Sequence, residues 1–126
     1  MEIYGRFWIK KESKNYLGIG RIELLKGIKQ TGSISQAAKA MHMSYKAAWD
    51  NIDAINNLSS KKLVKKIIGG HSGGGTILTD EGNIAIEAFD ELEMAKRAFC
   101  DYFNGTNNLQ DLKTKALKLQ EIINQK

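Results

Sequence analysis

The sequence predicts a mainly α fold with one small β-sheet, arranged around two helices joined by a tight turn. Three observations carry this. Apolar residues recur at three- and four-residue steps in five stretches after residue 18. Ser33 and Ser44 stand where two successive helices need N-caps, with only a short break between the helices. A glycine run, "GGHSGGG" at residues 69–75, sits between two short β-favouring segments.

The elements follow in order. "EIYGRFWIKK" alternates, with Ile3, Gly5, Phe7 and Ile9 on one face and Tyr4, Arg6, Trp8 and Lys10 on the other, so a strand is expected. "ESKNYLG" is polar and turn-like. Ile19, Ile22, Leu25 and Ile28 space a first helix, which Gly32 ends as its C-cap. "SISQAAKAM" starts a second, with Gln36 three residues after Ser33 as in a capping box. "SYKAAWDNIDAINNL" is a third, with Ala48, Ile52 and Ile55 inward and Lys46, Asp50, Asp53 and Asn57 outward. The small Ala37 and Ala38 permit a close helix crossing. Leu63 to Ile68 and "TILT" are strand-forming. Thr79 then caps a long helix over 80–103, with Asp80 and Glu81 at its dipole-favoured start. A weaker amphipathic helix closes the chain, with Leu109, Leu112, Leu119 and Ile122 as its contacts.

Composition narrows the function. The chain has 126 residues, 42% hydrophobic and 26% charged, which suits one folded domain with an added helix. No apolar run approaches the ~20 residues of a membrane span. The start lacks the pattern of a signal peptide, and a single cysteine, Cys100, permits no internal disulfide, so a cytoplasmic location is expected. The net charge of +5 is unevenly placed: residues 1–79 carry 13 Lys/Arg against 5 Asp/Glu, residues 80–104 carry 2 against 7, and the remainder 4 against 2. A basic part followed by an acidic helix suits a polyanion partner for the first. His42, His71 and Cys100 fall in three different elements, so no metal site is expected. No general base lies near an obvious nucleophile, so no enzyme activity and no cofactor are expected.

The glycine run fails the spacing of a Walker loop, since no Lys follows its glycines, and that of a dinucleotide fingerprint, since a strand follows it. A linker does not fit, because strand formers hug both sides. What remains is a hairpin after a helix-turn-helix with Lys65 and Lys66 on one arm: the wing of a winged helix-turn-helix. Glycines at its tip let backbone N–H groups approach phosphate oxygens.

"GSISQAAK", then "SYKAAWD", then "GGHSGGG" followed by "LT" and Gly82 resemble the N-terminal DNA-binding domain of the molybdate-responsive ModE family, over roughly residues 3–104. The helix-turn-helix also resembles that of LysR-type regulators. The resemblance implies binding to double-stranded DNA, an N-terminal strand that joins the wing sheet, and a homodimer formed through the long helix after the wing. It divides the chain into residues 1–104, for DNA binding and dimerisation, and a helical tail over 105–126. Two departures stand out. His42 replaces the usual Gly in the turn, where histidine tolerates a left-handed backbone. The family's molybdate-binding domains would follow residue ~105, where 22 residues remain, so this chain is not expected to bind molybdate or tungstate.

Candidate DNA-contacting residues are Ser35, Gln36 and Ser44 at helix starts, Lys46 on the outward face of the third helix, Asp50 as an acceptor for a cytosine amino group or an orienter of Lys46, Lys65 and Lys66 on the wing arm, and His71 and Ser72 at its tip. Ser35, Gln36 and Ser44 read equally well as plain caps. Tyr45 and Trp49 flank the inward stripe and read first as shelf residues, with Tyr45 kept as a contact candidate. Ala85, Phe89, Leu92, Phe99, Tyr102 and Phe103 form the candidate dimer stripe. Two functions stay open: a dimeric sequence-specific transcriptional regulator, or a protein-interaction module, such as a shortened family member that modulates a full-length regulator by heterodimerisation.

Overall fold

The computed structural model describes residues 1–68 and 75–125. They form β1 (Ile9–Lys11), β2 (Lys14–Leu17), α1 (Ile19–Thr31), α2 (Ile34–Ala40), α3 (Tyr45–Leu58), β3 (Val64–Ile67), β4 (Gly75–Leu78), α4 (Asp80–Phe103) and α5 (Leu109–Ile123). The fold is mainly α with two small antiparallel sheets, one pairing β1 with β2 and the other β3 with β4. The chain divides into two compact units, Trp8–Glu91 and Met1–Phe7 with Leu92–Lys126.

The first unit is built on three helices. Ile22, Leu24, Leu25 and Ile28 of α1, Ile34, Ala37 and Ala38 of α2, and Ala48, Ile52, Ile55 and Leu58 of α3 are buried together with Leu63, Val64 and Phe89. The α1–α2 crossing is close because both sides are small: a Cβ added at Gly27 would stand 2.9 Å from Ala37 Cβ. Gly32 ends α1 in the left-handed region at φ 71° and returns its N–H to Ile28 O at 2.8 Å. Ile19, read from the sequence as part of the inward stripe, is exposed, and Leu24 takes the buried position instead.

The expected N-terminal strand is corrected. Ile3 to Trp8 lie in no strand, and β1 pairs with β2, not with the wing. The segment read as a turn supplies the partner. Glu12 and Ser13 sit at φ 52° and 63° and close a tight hairpin, while Leu17 is buried and the Tyr16 hydroxyl meets Ser59 Oγ at 2.5 Å. A short loop closes at low entropic cost, so the local partner captures the strand. On the wing sheet, the outer edge of β4 is already engaged, since Thr76 N donates to Gly32 O at 3.0 Å.

In the second unit, Met1 and Ile3 are tied to the α4–α5 turn. The Met1 ammonium donates to Thr106 O at 2.9 Å, and Ile3 N donates to Asn104 Oδ1 at 2.9 Å. Phe103 packs with Phe99 and Tyr102 at centroid distances of 5.0 Å each. Asn108 caps α5 by accepting from Asp111 N at 2.8 Å. α5 buries no residue fully: Leu112 and Leu119 are half-buried, whereas Leu109 and Ile122, expected as contacts, are exposed.

Candidate nucleic-acid interface

The turn between α2 and α3 is set by local backbone chemistry. Ser33 caps α2, its Oγ accepting from Gln36 N at 3.1 Å. At the other end of α2, His42 adopts φ 54°, His42 N donates to Lys39 O at 3.1 Å, and Met43 N donates to Ala38 O at 2.9 Å. This is a Schellman ending with histidine in the place usually held by glycine. Two residues later Ser44 starts α3, its Oγ accepting from Ala47 N at 3.0 Å. The caps expected at Ser33 and Ser44 are therefore made.

α3 is held from both sides. Arg21 of α1 donates from Nε to Asn51 Oδ1 at 2.8 Å and from a terminal nitrogen to Asn15 O and Tyr16 O at 2.7 and 3.0 Å, and its partial burial lowers the guanidinium pKa. Asn51 in turn donates to Ala47 O at 2.8 Å. On the wing side, Asn56 accepts at Oδ1 from the Leu63 and Val64 amides at 2.9 and 3.3 Å and donates to Val64 O at 3.1 Å. One side chain thus docks the first wing strand onto the end of α3. Neither Asn56 nor Arg21 stood out in the sequence, since an asparagine among helical polar residues carries no signal of what it will meet.

Lys46, Asp50, Asp53 and Asn57 are exposed on the face that the helical period set outward. Ser35, Gln36, Ser44 and Tyr45 are exposed at the starts of α2 and α3, Tyr45 contrary to its first reading as a shelf residue beside the inward stripe. Lys46 Nζ lies 2.8 Å from Asp50 Oδ2, one helical turn on. The hydrogen bond that Lys46 donates to Asp50, and then the Asp50 charge, raise the Lys46 pKa above the ordinary 10.5. This ion pair sets Asp50 beside Lys46, the geometry that one of the two roles read for it requires. Tyr45 stands edge-on to Trp49 with centroids 6.3 Å apart.

The two wing lysines differ. In the β3–β4 register, Lys65 pairs with exposed Ile77, and Lys66 pairs with buried Thr76, so successive side chains take opposite faces. Lys66 Nζ lies 4.4 Å from the Trp49 ring centroid, a cation–π contact worth about 0.5–1 kcal/mol at an exposed site. Between α3 and β3 lies a cleft of about 390 Å³, lined by Trp49, Asp53, Asn56, Lys62, Val64, Lys65 and Lys66. Lys62 was not among the candidates from sequence. His71 and Ser72 lie outside the described residues.

The α4 stripe resolves into two neighbouring faces. Ala85, Phe89 and Phe103 are buried within the single chain and Leu92 is half-buried. Phe99 and Tyr102 are 43% and 37% exposed. With Ile84, Ala88 and Ala95 they form a second apolar line at helical spacing, interrupted by Glu91, that stays open. Periodicity merged a core-facing stripe with a solvent-facing one. Among the described residues, no group of three His, Cys, Asp or Glu is placed to hold a metal, and no helix is long and apolar enough to cross a membrane.

Residues 19–83, from the start of α1 into α4, match the model of the bacterial regulatory helix-turn-helix proteins of the lysR family. The chain is 47% identical over 81 residues to the molybdenum transport protein ModE of Azotobacter vinelandii, covering 64% of this chain and 30% of that protein. It is 44% identical over 92 residues to the DNA-binding transcriptional dual regulator ModE of Escherichia coli K12, covering 72% and 35%. The chain thus spans about a third of the length of these curated relatives. A solved LysR family transcriptional regulator shares the fold, with a TM-score of 0.52, 20% identity, and coverage of 74% of this chain and 31% of that one.

Proposed function

Because the chain belongs to the bacterial regulatory helix-turn-helix proteins of the lysR family, we propose that it works as a dimeric, sequence-specific regulator of the ModE type that reads duplex DNA with α3 and its wing. The helix-turn-helix itself is of the DNA-binding LysR and ModE kind. The single observation that carries the finer reading is the first turn of α3: an exposed Lys46, aimed by Asp50 and set on a Ser44 cap, beside a lysine-bearing wing strand. A lysine on a recognition helix donates to guanine O6 or N7 in the major groove, and Asp50 is assigned to hold Lys46 in place for that contact. Ser35, Gln36, Ser44 and Tyr45 are assigned to the phosphates alongside, where helix N-termini favour anions.

Dimerisation is assigned to the open line Ile84, Ala88, Ala95, Phe99 and Tyr102. The alanines let a second helix approach closely, and an apolar line of this length left in water is costly. A dimer holds two recognition helices for half-sites about one DNA turn apart. The reading places the protein in the cytoplasm and gives it no catalytic role. Gel shifts on random-sequence duplex at low salt, followed by selection of bound sites from a random pool, test it. A salt-sensitive shift and recovery of a two-fold symmetric site are expected. Failure to shift duplex DNA at low salt refutes it and favours the protein-interaction reading, heterodimerisation with a longer relative included.

A further inference from the structure

Lys62 and Lys66 enter the cleft from two points on the segment after α3, with Trp49 of α3 on the opposite wall. Asp53 contributes one negative charge to the lining, whereas the Lys65 side chain takes the opposite face of β3 from Lys66, so Lys62 and Lys66 leave the cleft a net excess of one positive charge. Among the described residues, none of the four is in an ion pair, in contrast to Lys46, whose charge Asp50 meets. The wall behind this charge is fixed: Asn56 ties α3 to Leu63 and Val64 through three hydrogen bonds. Lys66 is biased toward the cleft by its seat 4.4 Å over the Trp49 ring.

We propose that this cleft is a seat for the backbone phosphates of duplex DNA beside the groove that α3 reads, with Lys62 and Lys66 as the contacting residues and Trp49 as a positioning residue. The inference rests on the DNA-binding reading and adds to it a site between helix and wing. A long lysine side chain loses rotamer freedom when it binds a phosphate. The Trp49 ring restricts Lys66 before DNA arrives, so less freedom remains to be lost. The ring also leaves a ring edge and an apolar surface against which a deoxyribose packs. Lys62 approaches from the start of the wing segment, its own carbonyl accepting from Thr79 Oγ1 at 2.7 Å. The site carries no base information, because phosphates and sugars are common to all sequences.

Salt titrations of the full chain on random-sequence duplex test this. Each lost phosphate contact lowers the slope of log K against log salt by about 0.9, so affinity should fall about 3.5-fold less between 50 and 200 mM salt. Lys62→Ala and Lys66→Ala are each expected to show that change. Trp49→Leu should weaken binding at every salt concentration while keeping the parental slope, since Lys66 still reaches the phosphate but loses more freedom in doing so, and on a Lys66→Ala background it should weaken binding no further. Trp49→Phe, which keeps a ring face, should retain the parental affinity. Circular dichroism checks that each variant is folded, and the lysine variants decide the matter if Trp49→Leu is not. Parental slopes for both lysine variants, on a chain that itself binds with a steep slope, overturn the seat and leave the DNA-binding reading standing. A parent chain that does not bind duplex at low salt overturns both.

Discussion

Replacing Gly82 with Ala should destabilise the protein although it inserts a better helix former into a helix. Gly82 lies in the first turn of α4, and its amide donates to Thr79 Oγ1 at 3.1 Å. In an open helical position, Ala gains up to about 1 kcal/mol over Gly. The position is not open. An added Cβ would stand 2.3 Å from Leu63 O and 3.3 Å from both Leu63 C and Leu78 Cβ. The nearest obstacle is a backbone carbonyl that cannot rotate away. It also accepts from Thr79 N at 2.9 Å, so moving it strains the bond that docks the wing segment onto the start of α4. Overpacking costs about 1–3 kcal/mol and sometimes more, and a weakened buried hydrogen bond adds about 1 kcal/mol. After the propensity gain is subtracted, a net loss of about 1–3 kcal/mol remains. In a chain of this size that lowers the melting temperature by roughly 4 °C per kcal/mol. Gly20→Ala is the matched control, since nothing lies within 4 Å of its added Cβ and its φ is ordinary. It should leave stability unchanged or raise it by up to about 1 kcal/mol. Thermal and urea melts of both variants provide the measurement. Gly82→Ala at or above parental stability would show that the Leu63 carbonyl does not press on this turn.

Other outcomes follow from the same geometry. Lys46→Ala should weaken binding and change the preferred sequence, with discrimination at one base position falling by about 1–3 kcal/mol; site selection with parent and variant measures it, and an unchanged site would remove the base contact. Asp50→Asn frees Lys46 from its ion pair, so binding to random duplex should strengthen while preference at the same position relaxes, as salt-series titrations would show. His42→Gly should hold or raise the melting temperature, because a non-glycine residue in the left-handed region costs about 1–2 kcal/mol, whereas His42→Val should lower it. Phe99→Asp should split a dimer without unfolding the chain, since that ring is partly exposed; sedimentation velocity reads it, and a parent chain that is monomeric at micromolar concentration would refute the assigned interface. Molybdate and tungstate, titrated calorimetrically beside sulfate, should release no specific heat with residues 1–126, because a selective oxyanion site needs several preorganised donors in a closed pocket; saturable binding of molybdate alone would refute this.

Much of what depends on neighbours along the chain was legible in the sequence, though not the short hairpin of β1 and β2. The caps at Ser33 and Ser44, the stop at Gly32, the left-handed turn at His42 and the outward set of α3 follow from spacing, backbone allowance and side-chain hydrogen bonding within a few residues. The alternation that separates Lys65 from Lys66 was equally present, since a strand reverses its face at every step. Contacts between distant segments were decided by the tertiary structure. The alternating Ile3–Ile9 segment had the pattern of a strand, but a strand needs a partner, and the nearby hairpin with Lys14–Leu17 supplied one only for Ile9–Lys11. Helical periodicity marked α4 as apolar on one side but could not say which apolar residues the chain would cover itself, so buried Phe89 and exposed Phe99 were read as one stripe. The grip of Asn56 on the wing strand and the placement of Lys66 over Trp49 have no local signature at all. They arise because packing α3 against β3 brings together groups separated in sequence, and only then does a lysine find a ring, or an amide a backbone, to bind.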